Sequence, residues 1–168
     1  MMPGRIVFVG RDLASYDQLG PGLRASGFEV NWAESIDQVT IAADEGEVDV
    51  VVTDRHMDDG DGIALCRDIA RQRADVRVIV LADEPVFDDA VAAMRAGAFD
   101  YFVKPVELLA LEPAVHRAVQ HRALREEVRR LRTALAEATS FEELIGVSAP
   151  MMALYDLLEQ AAASNASV

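Results

Sequence analysis

The chain has 168 residues, 51% of them apolar, with 16 Lys and Arg against 29 Asp and Glu for a formal net charge of −13. That composition supports one well-buried core with an appendage and argues against a disordered chain. Residues 1–106 hold 10 Lys and Arg against 20 Asp and Glu, whereas residues 107–138 hold 6 Arg against 5 Glu, so the first part has the wrong sign for contact with nucleic-acid phosphates.

In chain order, residues 5–9 are a short run rich in β-branched side chains, closed by Gly10, and predict a strand. Residues 13–26 read as a helix whose middle Gly20-Pro21-Gly22 is expected to weaken. Residues 28–32 predict a second strand, and Ser35 can cap a helix running to about residue 45. Apolar runs at 48–53, 76–81 and 99–103 predict three further strands. Between them lie helical patterns at 62–73, with Ile63, Cys66, Ile69 and Ala70 on one face, and at 86–96, with Ala90, Val91 and Met94 on one face. Strand and helix alternate five times, which predicts an α/β fold with a doubly wound five-stranded parallel sheet. The runs at 48–53 and 76–81 suit its centre, being apolar almost throughout.

After Lys104-Pro105 one helical stretch without glycine extends from about residue 112 to 138. Pro113 is tolerable only in a first turn, so the helix is expected to begin at residues 110–112. Val115 and Val119 are expected to close the core of the sheet. Beyond them His121, Leu124, Val128, Leu131, Leu135 and Ala138 recur at steps of three and four, as the seam of a parallel two-chain coiled coil does. His121, Val128 and Leu135 take the a positions and Leu124, Leu131 and Ala138 the d positions, with Glu127 opposite Arg132 of a second copy. Two imidazolium groups at His121 would repel, so this homodimer is expected to weaken as pH falls through the histidine range. Thr139-Ser140 is expected to break the helix, residues 141–147 to form a connector, and Ser148-Ala149-Pro150 to start a last helix with Met151, Leu154, Leu157 and Leu158. The chain stops at Val168 directly after an apolar stretch, which predicts a cut inside a longer protein.

Two residues carry the candidate chemistry. Asp54 ends the third apolar run and opens a glycine-rich acidic turn, and Lys104 ends the fifth. A carboxylate and an ammonium at the C-terminal ends of two buried parallel strands meet at one sheet edge, which suggests an acceptor of phosphoryl groups. Asp58, Asp59 and Asp61 read as a solvated turn, since the spacing and closing Glu of a calcium loop are missing. His116 and His121 lack the partners that a metal would need, and Trp32 reads as packing. Cys66, the only cysteine, reads as a small core residue; no disulfide can close within the chain, and a reducing cytoplasmic setting is expected. Neither a signal peptide nor an apolar run of membrane-spanning length is recognised.

With Asp54-x-x-Met57, Asp61-Gly62, Gly97-Ala98-Phe99-Asp100-Tyr101 and Lys104-Pro105 in this spacing, residues 4–120 resemble the receiver domains of bacterial two-component response regulators. The resemblance implies a flavodoxin-like receiver fold, a histidine kinase as partner and Mg²⁺ as cofactor. It makes Asp54 the phosphoacceptor, Lys104 the contact to the phosphoryl oxygens and Tyr101 the aromatic that rotates on activation. The segment Phe141-Glu142-Glu143-Leu144-Ile145-Gly146-Val147-Ser148-x-x-Met151 resembles the opening of the AAA+ ATPase domain of nitrogen-regulatory (NtrC-type) activators, which work with sigma-54 RNA polymerase. The implied organisation is a receiver at 1–120, a dimerising linker helix at 121–140 and the start of a AAA+ domain at 141–168. No G-x-x-x-x-G-K occurs, so the chain carries no ATP hydrolysis of its own.

The chain departs from the family in its pocket. Gly10 and Arg11 stand where receivers carry two acidic residues for Mg²⁺, with Asp12 one step further on as a weak substitute. Ala82 stands for a Thr or Ser that would bond the phosphoryl group, and Asp83 for a small residue. Phosphoryl transfer is mostly charge neutralisation and positioning. Arg11 repels a divalent cation, Ala82 cannot donate, and Asp83 opposes an incoming dianion. Arg11 is expected to pair with Asp54 or Asp83. The expected function is therefore regulatory and non-enzymatic, in a receiver that works through dimerisation without Mg²⁺ and with little or no phosphorylation. The first rival keeps Asp54 as a working phosphoacceptor. A small-molecule site on a flavodoxin-like sheet lacks its phosphate-cradling loop, and an aspartate phosphatase lacks a second carboxylate where His56 stands.

Overall fold

The computed structural model describes residues 3–11 and 13–144, with side chains through residue 139. In chain order the elements are β1 (Arg5–Val9), α1 (Ala14–Ala25), β2 (Glu29–Ala33), α2 (Ile36–Asp44), β3 (Val50–Asp54), the two-residue strands β4 (His56–Met57) and β5 (Gly60–Asp61), α3 (Gly62–Gln72), β6 (Arg77–Ala82), α4 (Phe87–Ala96), β7 (Asp100–Val103) and α5 (Leu108–Leu144). Five strands form one parallel sheet in the order β2-β1-β3-β6-β7. This is the doubly wound sheet expected from the alternation, and its order reverses between β1 and β3, where such sheets place their sites. β4 and β5 pair as a small antiparallel hairpin directly after β3.

Strand alternation splits the core into two layers. Val7, Val9, Val51, Val78 and Val80 point to the side covered by α2, α3 and α4. Ile6, Phe8, Val50, Val52, Ile79 and Leu81 point to the side covered by α1 and the first turns of α5, where Val115 is buried and Val119 packs against the same layer. Two caps fix the helix starts: Ser35 accepts the Gln38 N–H at 3.3 Å, and Asp61 accepts the Ile63 and Ala64 N–H groups at 2.7 and 3.1 Å.

Several elements differ from the sequence expectation. α1 runs unbroken through Pro21, which faces solvent, so the carbonyl left without a helical donor there can turn to water. Gly22 lets the Leu108 side chain of α5 lie close against α1, and a Cβ there would make that side chain turn aside. α5 begins at Leu108, two residues before the earliest expected start, so that Pro113 lies inside the helix; the carbonyl it leaves free belongs to Leu109, an exposed residue. α5 also continues past Thr139, whose hydroxyl bonds back to the Leu135 carbonyl at 2.9 Å instead of breaking the helix. The expected connector at 141–147 is thus helical as far as Leu144, and the expected last helix lies outside the described residues. α4 is turned over: Ala92, Ala93 and Ala96 face the core, whereas Phe87 and Met94 are exposed.

The chain divides at Arg125 into one compact unit, residues 1–125, and a second, residues 126–168. In the first, Arg122 is buried under the N-terminal edge of the sheet, where it bonds the Val48 carbonyl and pairs with Asp49 and with Asp75, the latter at 3.3 Å. In the second, Glu127 pairs with Arg130 at 2.8 Å along the helix.

Candidate functional site

Asp54 closes β3, and the chain leaves β7 through Val103 into Lys104, whose N–H donates to the Ala82 carbonyl at 2.8 Å. Parallel pairing of β3, β6 and β7 thereby sets Asp54, Ala82 and Lys104 on one sheet edge. Lys104 is joined to Pro105 by a cis peptide bond. The Asp54 carboxylate is buried, and both of its oxygens are engaged. Oδ1 lies 2.7 Å from Lys104 Nζ, and Oδ2 accepts the backbone N–H of Arg11 at 3.0 Å. Lys104 Nζ is also 3.3 Å from Asp83 Oδ1. Burial works against the Lys104 ammonium, but Asp54 and Asp83 outweigh it and hold the Lys104 pKa above its ordinary value.

Gly10 closes the other side of the pocket: a Cβ at that position would overlap the Asp54 carboxylate. Gly62 is held just as tightly from below, since a Cβ there would meet the Asp54 carbonyl. The link of Arg11 to Asp54 is its backbone alone. The side chain is exposed and forms none of the ion pairs to Asp54 or Asp83 that its charge suggested, because the chain leaving β1 turns the Arg11 N–H toward the carboxylate and leaves the side chain in solvent. Asp12 lies outside the described residues. Ala82 is buried and offers a methyl group only.

Among the described residues, the groups around Asp54 offer a divalent cation few ligands. Gly10 has no side-chain ligand, and the two oxygens of the Asp54 carboxylate are engaged by the Lys104 ammonium and the Arg11 backbone N–H. Among the described residues no group of His, Cys, Asp and Glu is arranged to hold a metal ion.

Tyr101 packs against the core layer that α4 covers, and its hydroxyl is buried without a hydrogen-bond partner. Burial raises the phenol pKa, the nearby Asp89 carboxylate raises it further, and Arg55 acts in the opposite direction.

Two arginines that the sequence reading passed over organise the surroundings. Arg55, the residue after Asp54, pairs with Asp61 through Nη1 and with Asp89 through Nη2, the latter at 3.2 Å. Burial opposes its charge, but the two carboxylates prevail and raise its pKa. The signal available was an Arg set between Asp54 and an acidic turn. Arg122 had a clearer one, since it continues the inward phase of Ala114, Val115 and Ala118.

His121 meets its own domain: its Nδ1 is 2.9 Å from Arg77 Nη2, and its ring lies edge-on to Phe99 at 6.1 Å between centroids. Burial and the charges of Arg77 and Arg125 hold its pKa below the ordinary imidazole value. The solvent-facing apolar stripe therefore starts at Leu124 and continues through Val128, Leu131 and Leu135, which are 40% to 68% exposed. Arg132 and Ala138 are exposed as well.

A five-stranded parallel sheet with a buried Asp and a Lys converging at its C-terminal edge defines a receiver-type signalling module. The response regulator receiver domain family matches residues 11–116, and the chain belongs to that family. It is 37% identical over 147 residues to the C4-dicarboxylate transport transcriptional regulatory protein DctD of Pseudomonas aeruginosa, a match covering 87% of this chain and 32% of that protein. The regulatory protein AtoC of Escherichia coli is 29% identical over 164 residues, covering 98% of this chain and 36% of AtoC. Among solved structures, NtrX of Brucella abortus superposes with a TM-score of 0.68 at 27% identity, over 78% of this chain and 29% of that one. The chain thus spans about a third of the length of the curated relatives it matches. Among the described residues no helix is long and apolar enough to cross a membrane.

Proposed function

We propose that residues 1–120 are the regulatory receiver of a cytoplasmic, sigma-54-dependent transcriptional activator of the NtrC type, and that its pocket is atypical. It works without Mg²⁺, accepts phosphate on Asp54 weakly or not at all, and acts through pairing of two copies along the helix at 121–140. Residues 141–168 open the AAA+ domain of the parent protein, whose ATPase the receiver restrains or licenses. The match to DctD and AtoC supports the class of regulator.

One observation carries the atypical pocket: both oxygens of the Asp54 carboxylate are engaged within the chain, one by Lys104 at 2.7 Å and one by the Arg11 N–H at 3.0 Å, in a space that Gly10 leaves just wide enough. The ammonium replaces the charge that a metal would supply, so the pocket is neutralised before any phosphoryl group arrives. In-line attack by Asp54 needs a free carboxylate oxygen and a cation to gather the phosphoryl oxygens. Here the first is occupied, and the second is shared with Asp83.

The test is incubation with a small phosphodonor, with and without Mg²⁺, read by intact mass. The wild type is expected to stay unlabelled, and the Arg11→Asp, Ala82→Thr double variant to gain an Mg²⁺-dependent phosphoryl group that Asp54→Asn abolishes. Wild-type labelling on Asp54 as fast as in the double variant would overturn the reading and restore the phosphoacceptor alternative.

A further inference from the structure

α4 is the least secured of the three helices on its side of the sheet. Its N-cap, Val86, makes no side-chain cap bond, whereas Ser35 and Asp61 cap α2 and α3. It packs inward through Ala92, Ala93 and Ala96, which bury little apolar area each. Among the described residues one ion pair reaches it, from Arg55 Nη2 to Asp89 Oδ1 at 3.2 Å.

The other end of that pair is firmly held. The Arg55 N–H donates to the Leu81 carbonyl at 2.6 Å, and its own carbonyl accepts the Gly62 N–H at 3.0 Å. Its second guanidinium nitrogen binds Asp61, whose remaining oxygen caps α3. The Arg55 side chain is only 15% exposed and that of Asp89 25%, so the pair is screened less than a surface pair. Tyr101 packs against the core layer that α4 covers, near enough for the charges of Asp89 and Arg55 to act on its phenol, and its hydroxyl is buried and unpartnered.

We propose that Arg55 is a strut that ties the first turns of α4 to the loop following Asp54 and keeps the Tyr101 hydroxyl covered, so that breaking the Arg55–Asp89 pair releases the start of α4 and uncovers Tyr101. The inference goes beyond the proposed function, because it requires neither phosphorylation nor pairing of two copies. It gives the Asp54 loop a mechanical route to α4, and with it to the exposed Phe87 and Met94.

The experiment compares amide hydrogen exchange in the full chain, wild type against Asp89→Asn, Arg55→Gln and the double variant. The informative amides are those of residues 90–93, which close onto carbonyls of the first turn, as Ala90 does onto Val86 at 3.2 Å. In Asp89→Asn they are expected to exchange about tenfold faster, with α3 and the sheet unchanged. The double variant is expected to exchange no faster in α4 than Arg55→Gln alone, the mark of a shared interaction. In Asp89→Asn the Tyr101 phenol is expected to ionise at lower pH, as its hydroxyl reaches water and the Asp89 charge is lost. Wild-type exchange in α4 of Asp89→Asn, acceleration spread evenly over the sheet, or additive effects in the double variant would each overturn the strut.

Discussion

Gly10 lies against Asp54 at the edge of the sheet with no space for a side chain between them: a Cβ on Gly10 would occupy the position of the Asp54 carboxylate. The missing acidic residue at position 10 and the inward set of Asp54 are therefore one feature. Gly10→Ala is expected to rotate the carboxylate away from the Arg11 N–H and Lys104, costing about 1–2 kcal/mol. Urea unfolding checks this, and an unchanged midpoint would mean that the carboxylate turns without loss.

Arg122 gives a larger effect. Its guanidinium is buried between Asp49 and Asp75 and also bonds the Val48 carbonyl. Truncating a buried ion pair usually costs about 3–5 kcal/mol, because the remaining charge is left in a poor solvent. Here Asp49 keeps Arg5 at 3.3 Å and Asp75 keeps Arg73 at 3.1 Å. Arg122→Ala is accordingly expected at the lower end, about 3 kcal/mol by denaturant unfolding. A loss no larger than that of an exposed arginine, such as Arg129→Ala, would show that Arg122 is not a clamp.

The sheet was legible in the sequence because buried parallel strands are near-continuous apolar runs, and the cap at Ser35 follows from local chemistry, whereas Asp61, expected in a solvated turn, caps α3 and pairs with Arg55. Helix ends were less so. Pro21 and Pro113 both sit inside helices because each leaves its orphaned carbonyl on a solvent-facing side, and local propensity does not encode which side that is. The inward face of α4 is Ala92, Ala93 and Ala96 instead of Ala90, Val91 and Met94, because in a helix so rich in alanine the apolar pattern does not single out one face. At the site, Asp54 and Lys104 were legible because strand ends converge. The bond from Arg11 was not, because a backbone N–H carries no signature in the side chain. The struts made by Arg55 and Arg122 depend on partners 34 and 73 residues away, a pairing that one sequence does not specify.

His121 supplies a pH dependence. Its folded pKa lies below the ordinary value, through burial and the charges of Arg77 and Arg125. The unfolded chain therefore binds a proton more readily than the folded one, and stability must fall as pH drops through the ordinary histidine range, near about 6.5, toward the lower folded value. Above that range the contribution is fully present. His121→Gln, which keeps a polar contact for Arg77 without a proton to gain, is expected to flatten that part of the stability profile between neutral and mildly acidic pH. Equal slopes in the two proteins would place the titrating group elsewhere. The charge conflict lies within one domain, so the slope is expected in monomers as well as in dimers.

The apolar stripe of α5 makes the last prediction. Leu124, Val128, Leu131 and Leu135 are exposed at the spacing of a two-chain seam. Burying a leucine side chain is worth about 1.5–3 kcal/mol, and a symmetric pair would bury each of these twice. Glu127 is engaged by Arg130 on its own helix at 2.8 Å, so a crossed pair with Arg132 of a second copy would have to compete with it. The apolar positions are thus expected to carry the affinity, and Glu127 and Arg132 to contribute little. Leu131→Asp places two carboxylates face to face in the seam and is expected to weaken pairing by at least about a hundredfold. Glu127→Gln is expected to change it by less than about threefold. Sedimentation equilibrium at micromolar concentrations separates the cases. A wild type that stays monomeric, or a Leu131→Asp variant that still pairs, would move the interface to the face that carries Tyr101. Sensitivity to Glu127→Gln comparable with that to Leu131→Asp would show that charge, not apolar burial, holds the two helices together.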